Sequence, residues 1–352
     1  MIKVLAIPAF GNKSNNPYNW LLYTHLQKKG VKVIDFSSKT PEKIKILLKK
    51  YDIFHLHWPE SLIDKKSTIR ALKGIGSLMF IIVLMKLRGS KIIWTAHNLM
   101  SHEKRRPFLE KIHWIIFTNI LDGYIVLTKA GIKDLRLKHP ALRKKPVFLT
   151  IHGHYREFYA NNLSKEQSRK ILKIDKNKKV YLFLGKIAIY KNIPLLIETF
   201  NKIKDKQAIL YLAGKINNKN LEKEILSEIK SERIILNSDF IKEEDIQIYL
   251  KSSDIVVLPY RDILNSGTLF LALSFNKPVL VPETNTFKEI QNQVGKNWIK
   301  TYRGELNSKI LKESLNWALK RKNDQLNLEK FNWDNIAEET KKAYLEVISN
   351  GK

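Results

Sequence analysis

Short apolar runs alternate with amphipathic helical stretches along most of this chain. Residues 2–7 (IKVLAI) read as a buried strand, 18–29 as a helix stopped by Gly30, and 31–36 as the next strand. The rhythm continues through helix 41–50, strand 52–57, a helical stretch over 67–88, strand 91–96, helix 107–121, strand 123–127, a helix from Lys129 and strand 147–151. After the polar, lysine-rich segment 161–179 it resumes with strand 180–184, helix 194–203, strand 208–213, helix 221–230, strand 233–236 and helix 244–251. A strand, loop, helix and strand follow over 254–282, and the tail FNWDNIAEETKKAYLEVI predicts a terminal amphipathic helix. Strands alternating with helices predict an α/β protein of doubly wound sheets. At 352 residues the chain exceeds one typical core, so two domains are expected. The boundaries fall at 1–160 and 161–335, with a C-terminal helix over 336–352.

In such sheets the loops after the strands bind ligands, so polar residues placed there carry the functional reading. The loop 260–268 holds Asn265, Ser266, Gly267 and Thr268 between a buried strand and a helix start. Unpaired N–H groups and the positive end of the helix dipole suit a phosphate there. The same residues also serve an ordinary connection in which Ser266 caps the helix. Upstream, GKIAIYKN (185–192) puts Lys186 and Lys191 on either side of one strand-to-helix loop, where both can reach one diphosphate as mobile point charges, with Tyr190 beside Lys191. This is not a Walker loop, and the first loop, PAFGNKSNNPY, lacks G-x-G-x-x-G, which removes a nicotinamide enzyme. Asn16, Pro17 and Tyr18 are candidate cleft residues in that loop. HLHWPE puts His55 and His57 on one strand face and Glu60 just beyond the strand end. HNLMSHEKRR places His97, His102 and Glu103 where a general base would stand, with Arg105 and Arg106 as a basic lip. Two histidines two apart, with no third ligand and no Asp-x-Asp, do not make a metal site, so no divalent ion is expected.

Composition adds a charge argument. The chain has no cysteine, which removes thiol catalysis and a zinc ribbon, and its N-terminus lacks the pattern of a signal peptide, so a cytoplasmic protein is expected. The net charge is +29, of which residues 1–160 carry +19. The first half should therefore face an anionic partner: a bilayer surface, a phosphorylated substrate or nucleic acid. The run 78–85 (LMFIIVLM) is shorter than the roughly 20 residues that cross a bilayer and predicts a buried helix packed on the sheet. The alternative is a helix dipping into the membrane interface, ringed by Lys65, Lys66, Arg70, Lys73, Lys86, Arg88 and Lys91.

Two doubly wound domains with ligand-facing strand ends, facing across a cleft, resemble the GT-B glycosyltransferases. The ordered motifs NPY, YDIFHLHWPE, TAHNLMSHE, IHGHYREFY, GKIAIYKN, LPYRDILNSGTLFLALSFNKPVL and VGKNWI more narrowly resemble the GDP-mannose:glycolipid β-1,4-mannosyltransferases of xanthan-type exopolysaccharide assembly. The resemblance implies inverting transfer of mannose from GDP-mannose to a polyprenyl-diphosphate-linked oligosaccharide. It implies as partners the nucleotide sugar, that lipid-linked glycan and the anionic inner-membrane surface, with no nucleic acid and no cofactor besides the donor. The protein would sit peripherally on the inner face of the cell membrane. Common retaining GT-B enzymes carry E-x7-E in the segment where this chain has Ile263 and Leu271, so a mechanism relying on those carboxylates does not carry over. Glu103 is the first candidate for the base and Glu60 the second, with His97 and His102 positioning sugar or donor. Lys186, Lys191 and the Ser266–Gly267–Thr268 helix start would meet charge on the departing diphosphate. The rival readings are a transferase using another nucleotide sugar, a sugar-nucleotide epimerase, and a non-catalytic basic module that binds membrane or nucleic acid. The ordered strand-end motifs count against the last.

Overall fold

A computed structural model describes residues 1–36, 43–101, 105–261, 263–321 and 325–350. The chain divides into two compact units, Met1–Gly153 with Lys330–Lys352, and His154–Glu329. The tail thus returns to the first unit.

The first unit is built on β1 (Lys3–Ile7), β2 (Lys32–Asp35), β3 (Ile53–His57), β4 (Lys91–Thr95), β5 (Gly123–Val126) and β6 (Val147–Leu149). They form one parallel sheet in the order β2-β1-β3-β4-β5-β6. Between strands run α1 (Tyr18–Lys28), α2 (Lys43–Leu47), α3 (Thr68–Leu87), α4 (Pro107–Ile120) and α5 (Lys129–Lys138). Every residue of β3 is buried, as a parallel strand covered on both faces requires. In the β3–β4 register His57 stands opposite Thr95, which brings the two histidine-bearing loops to the same sheet edge. The chain steps from β1 to β2 in one direction and from β3 through β6 in the other, the doubly wound pattern.

α3 departs from expectation. A wholly buried helix follows from its apolar run, yet only Ala71, Leu78, Ile82 and Met85 are buried. They form one stripe at helical spacing, and a second apolar stripe faces solvent. A helix that is apolar all round would ordinarily be enclosed.

The second unit repeats the plan with β7 (Lys179–Leu184), β8 (Ala208–Ala213), β9 (Ile234–Asn237), β10 (Ile255–Val257), β11 (Val279–Pro282) and β12 (Ile299–Tyr302). They form a parallel sheet in the order β12-β11-β10-β7-β8-β9. The helices are α6 (Lys165–Ile171), α7 (Ile193–Asn201), α8 (Lys219–Glu228), α9 (Ile246–Ser252), α10 (Gly267–Ser274), α11 (Asn285–Val294) and α12 (Ser308–Leu319). Residues Leu269–Ser274 of α10 are all buried, as the density of apolar positions there predicts.

The last helix, α13 (Trp333–Ser349), packs along α1 in the first unit. Trp333 lies so close to Gly153 that a Cβ there would sit 2.3 Å from the indole ring. His25 Nδ1 and Asp334 Oδ1 are 2.9 Å apart across the two helices.

Candidate active site

In the first unit the carboxyl edge of the sheet is a sealed chain of neutral polar groups. His55 Nε2 is 2.7 Å from Thr95 Oγ1, and its Nδ1 is 2.7 Å from the Tyr344 hydroxyl and 3.0 Å from the Tyr23 hydroxyl. Tyr23 also lies 2.7 Å from His57 Nε2, and His57 Nδ1 is 2.9 Å from His97 Nε2. The chain therefore runs Thr95, His55, Tyr23, His57, His97. Burial pushes the imidazoles down: His55 to about 3, His152 to about 4, and His57 and His97 well below the ordinary histidine range. All four are neutral at pH 7. In each imidazole one ring nitrogen donates and the other accepts, so the tautomer of one ring dictates that of the next.

Aromatic rings hold this chain in place. Trp58 stacks on His97 with centroids 4.2 Å apart, and its backbone is left-handed with φ 49°. A large residue in that region is strained, and here it directs the chain away from β3 at the sheet edge. Tyr18 packs edge-on to His97 at 4.9 Å and lies 5.0 Å from His152. Expected to line a cleft, Tyr18 is instead buried within the cluster.

Glu60 sits in the short turn of helix after Trp58. Its Oε1 accepts a 2.6 Å hydrogen bond from Asn98 Nδ2, while Oε2 has no hydrogen-bond partner among the described residues. Burial raises its pKa to about 7, only partly offset by the Asn98 bond. Glu60 and Asn98 thus join the loops after β3 and β4, Glu60 two residues past Trp58 and Asn98 next to His97, the two rings of the stack. His102 and Glu103 lie outside the described residues. Arg106 turns inward to bond the carbonyls of Ile63, Lys65 and Lys66.

The edge of the second sheet is of the opposite kind. Gly185 and Gly214 end β7 and β8 with φ of 118° and 146°. A Cβ on Gly214 would meet the Gly185 carbonyl oxygen at 2.1 Å, so only glycine permits this approach of backbones. The Thr268 hydroxyl stands 3.3 Å from the place a Cβ on Gly185 would take, which joins the β7 loop to the start of α10. Past the glycines the loops stay paired, Ile187 N–H donating to the Lys215 carbonyl. Lys186 and Lys215 are exposed there.

Lys191 differs from the mobile cation expected. It is buried, its Nζ donates to the Tyr260 hydroxyl at 2.8 Å, and it lies 4.0 Å from the Tyr260 ring centroid and 5.2 Å from that of Tyr190. Burial works against its charge, but Tyr260 and Tyr190 outweigh burial and hold its pKa above the ordinary lysine value. The Ser266 Oγ caps α10 by accepting from Leu269 N–H at 3.1 Å and is 3.3 Å from the Tyr260 hydroxyl. Lys191, Tyr260 and Ser266 thus form a connected set beneath the helix start, with Asn265, Gly267 and Thr268 partly exposed above it. Leu271, where E-x7-E would place a carboxylate, is buried on α10.

Sequence reasoning passed over Tyr260, Asn98 and Lys215. Lys215 had a signal: LGKI and AGKI end two successive strands, and the repeat gives each strand a glycine and a lysine. Tyr260 and Asn98 had none, since each acquires its role from a partner distant in sequence.

The comparisons with known proteins fit this architecture. Residues 164–332 match the family model "Glycosyl transferases group 1". The chain is 28% identical over 342 residues to the GDP-mannose:glycolipid 4-beta-D-mannosyltransferase of Xanthomonas campestris pv. campestris, covering 96% of this chain and 90% of that protein. Among solved structures it resembles sucrose-phosphate synthase (tll1590) from Thermosynechococcus elongatus, with TM-score 0.72, 14% identity and coverage of 99% and 100%. Anabaena Alr3699/HepE in complex with UDP-glucose gives TM-score 0.64 at 14% identity, again covering 99% and 100%. With two parallel six-stranded sheets and these relatives, the chain has the GT-B fold and is a hexosyltransferase similar to the GDP-mannose:glycolipid 4-beta-D-mannosyltransferases.

Proposed function

We propose that this enzyme transfers a mannosyl group from GDP-mannose, with inversion, to a polyprenyl-diphosphate-linked oligosaccharide in bacterial surface or exopolysaccharide assembly. It would work as a cytoplasmic protein, peripheral on the inner face of the cell membrane. The observation that carries this reading is the likeness to the mannosyltransferase named above, which runs over 96% of the chain and so takes in both sheet edges.

An acceptor hydroxyl attacks the anomeric carbon of the donor. The new C–O bond forms as the bond to the nucleotide diphosphate breaks, and the hydroxyl proton passes to a carboxylate of the first unit. Glu103 keeps the role of base assigned to it from sequence. Glu60 is the second candidate: with its pKa raised by burial to about 7 it is a stronger base than an ordinary carboxylate, and it fixes Asn98 at the same edge. His97, held neutral by burial and tied to His57, positions sugar by hydrogen bonding without competing for the proton. His102, in the same loop, shares that positioning role.

In the second unit the growing negative charge on the diphosphate is met by Lys186, Lys215 and the N-terminus of α10 at Gly267 and Thr268. Asn265 flanks that helix start. Lys191 acts from beneath: its charge, held between Tyr190 and Tyr260, orients the Tyr260 hydroxyl beside Ser266. No step in this scheme uses a metal ion or a cofactor other than the donor.

The test is transfer to a lipid-linked acceptor from a panel of GDP-, UDP- and ADP-sugars, with the anomeric configuration of the product read by NMR. GDP-mannose should be the preferred donor and give a β-linked product. Preference for another nucleotide sugar, or retention of configuration, would refute the reading. In the same assay Glu103→Gln should lose about a thousandfold in turnover with GDP affinity unchanged, and near-normal turnover would pass the role of base to Glu60.

A further inference from the structure

The outward face of α3 carries Ile69, Leu72, Phe80, Val83 and Leu87, each between 49 and 81% exposed. Their spacing puts them along one side of the helix, opposite the buried stripe Ala71, Leu78, Ile82 and Met85. α4 repeats the pattern, with Phe108, Ile112, Ile115 and Ile116 between 39 and 76% exposed. Scattered apolar residues on a surface need no explanation, but two adjoining helices with continuous apolar outer faces do.

These helices are held side by side. At their N-terminal ends Arg106 donates to the carbonyls of Ile63 and Lys65 at 2.8 and 2.7 Å and to Thr68 Oγ1 at 3.1 Å. At the other end Lys86 Nζ reaches Asp122 Oδ1 at 3.2 Å. α3 has the length and composition of a membrane span. Its inner stripe is packed in the first unit and its ends lead into β3 and β4, so it can lie along a bilayer but not cross it.

Charge decides what covers this face. α3 contains no acidic residue, and the one acid of α4, Glu110, is buried and accepts a 2.6 Å hydrogen bond from Ser101 N–H. Among the described residues, the exposed charges on and beside the two helices are Lys65, Lys66, Arg70, Lys73, Lys86, Arg105 and Lys111, all positive, while Asp64 and Asp122, the latter paired with Lys86, are half-buried. An ordinary solvated helix of the same molecule looks different: α13 exposes Glu339 and Glu346 among its lysines. Apolar side chains bordered by an excess of cations fit the headgroup layer of an anionic bilayer, where the apolar groups reach the acyl boundary and the cations meet lipid phosphates.

We infer that the outer faces of α3 and α4 form one docking surface that lies flat on an anionic lipid bilayer, inserting Phe80, Leu87, Phe108 and Ile115. The inference names the surface for the membrane-peripheral part of the proposed function and is independent of the sugar transferred. Both helices begin at the sheet edge that carries Glu60 and Asn98, so docking holds that edge at the membrane, where a lipid-linked acceptor presents its glycan.

The test uses the full chain without sugar nucleotide, in flotation with vesicles of phosphatidylcholine alone or of equal parts phosphatidylcholine and phosphatidylglycerol. The protein should float with the anionic vesicles only, and less so as salt rises. The double variant Phe80→Ser, Phe108→Ser should lose about tenfold or more in partitioning, with its melting temperature unchanged. Lys66→Glu with Lys73→Glu should lose a similar factor at low salt. Failure of the native protein to float, or flotation of the double variant like the native protein, would overturn the inference. So would concentration-dependent dimerisation that the double variant abolishes, which would assign the face to a second copy of the chain. None of these readings depends on the donor panel, so either proposal can fail without the other.

Discussion

The two sheet edges share one scaffold and opposite chemistry. In the first unit the edge is closed by imidazoles and phenols that hydrogen-bond one another and carry no charge. In the second it is opened by glycines and carries lysines and a helix N-terminus. A doubly wound sheet fixes where ligands approach and leaves open whether that place is a neutral, shape-giving wall or a seat for phosphate. The neutral edge is the more expensive to maintain in acid, because burial must keep four imidazoles unprotonated.

Acid should therefore break the symmetry between the units, and this is the largest effect expected. Every histidine except His154 belongs to the first unit. The folded pKa values of His55 and His152 are about 3 and about 4, and those of His57 and His97 are also far below the unfolded value near 6.5. Between those limits the unfolded chain binds more protons than the folded one, so stability is complete above the unfolded pKa and falls as pH drops towards about 4. Each such histidine contributes a slope of about 1.4 kcal/mol per pH unit, and four approach ~5 kcal/mol per unit at the steepest. Glu60, with its folded pKa raised to about 7, has the opposite sign. It favours the fold below the unfolded carboxyl pKa, loses that contribution as pH rises through 7, and offsets about one histidine's share in between. Hydrogen exchange followed by mass spectrometry should show first-unit peptides losing protection between about pH 6 and 4.5 while second-unit peptides keep theirs. Simultaneous loss in both units would contradict the assignment of acid sensitivity to the histidine edge.

The second edge has its own weak point. Gly214→Ala puts a methyl group against the Gly185 backbone, where the contacted atoms are a carbonyl oxygen and its carbon at 2.1 and 2.6 Å, and nothing there is a flexible side chain. Together with the positive φ, this should cost about 2–4 kcal/mol, read as a lower melting temperature for the second unit. Under the proposed function GDP affinity should fall with it, since the displaced loop carries Lys186. Gly304→Ala is the control: its φ is 70° but no heavy atom lies within 4 Å of the new Cβ, so only about 1 kcal/mol of backbone strain is expected. Equal losses in the two variants would mean that backbone conformation, and not the close approach of two loops, makes the second edge.

The α/β rhythm was legible because buried parallel strands are short apolar runs, as β8 is throughout and β7 is after Lys179. The edge strand β12, IKTY, has too few apolar positions to stand out and takes its identity from pairing with β11. Strand-end position singled out Glu60, His97 and Lys191 as candidates, but not their surroundings. Sequence can place Lys191 in a loop, but the rings that enclose it come from Tyr190 next door and Tyr260 far along the chain. The outer stripe of α3 was hidden for a related reason. A run apolar on every side gives no periodic signal to say which face meets the core, and only the packing of Ala71, Leu78, Ile82 and Met85 settles it.

The smallest effect expected concerns the internal order of the first edge. His55 Nδ1 has two hydroxyl neighbours, Tyr344 at 2.7 Å and Tyr23 at 3.0 Å, but a ring nitrogen makes one strong hydrogen bond. Tyr344→Phe leaves Tyr23 to serve it and should cost under about 1 kcal/mol. Tyr23→Phe also strips the partner from His57 Nε2, 2.7 Å away, leaving a buried nitrogen unpaired at about 1–3 kcal/mol. Because His57 Nδ1 faces His97 Nε2, a change at Tyr23 should pass along the chain. Nitrogen chemical shifts of the imidazoles report which ring nitrogen bears the proton. Tyr23→Phe should move the His97 signals and Tyr344→Phe should leave them in place. If both variants act alike, the edge is a set of separate buried pairs, and its contrast with the second edge reduces to charge alone.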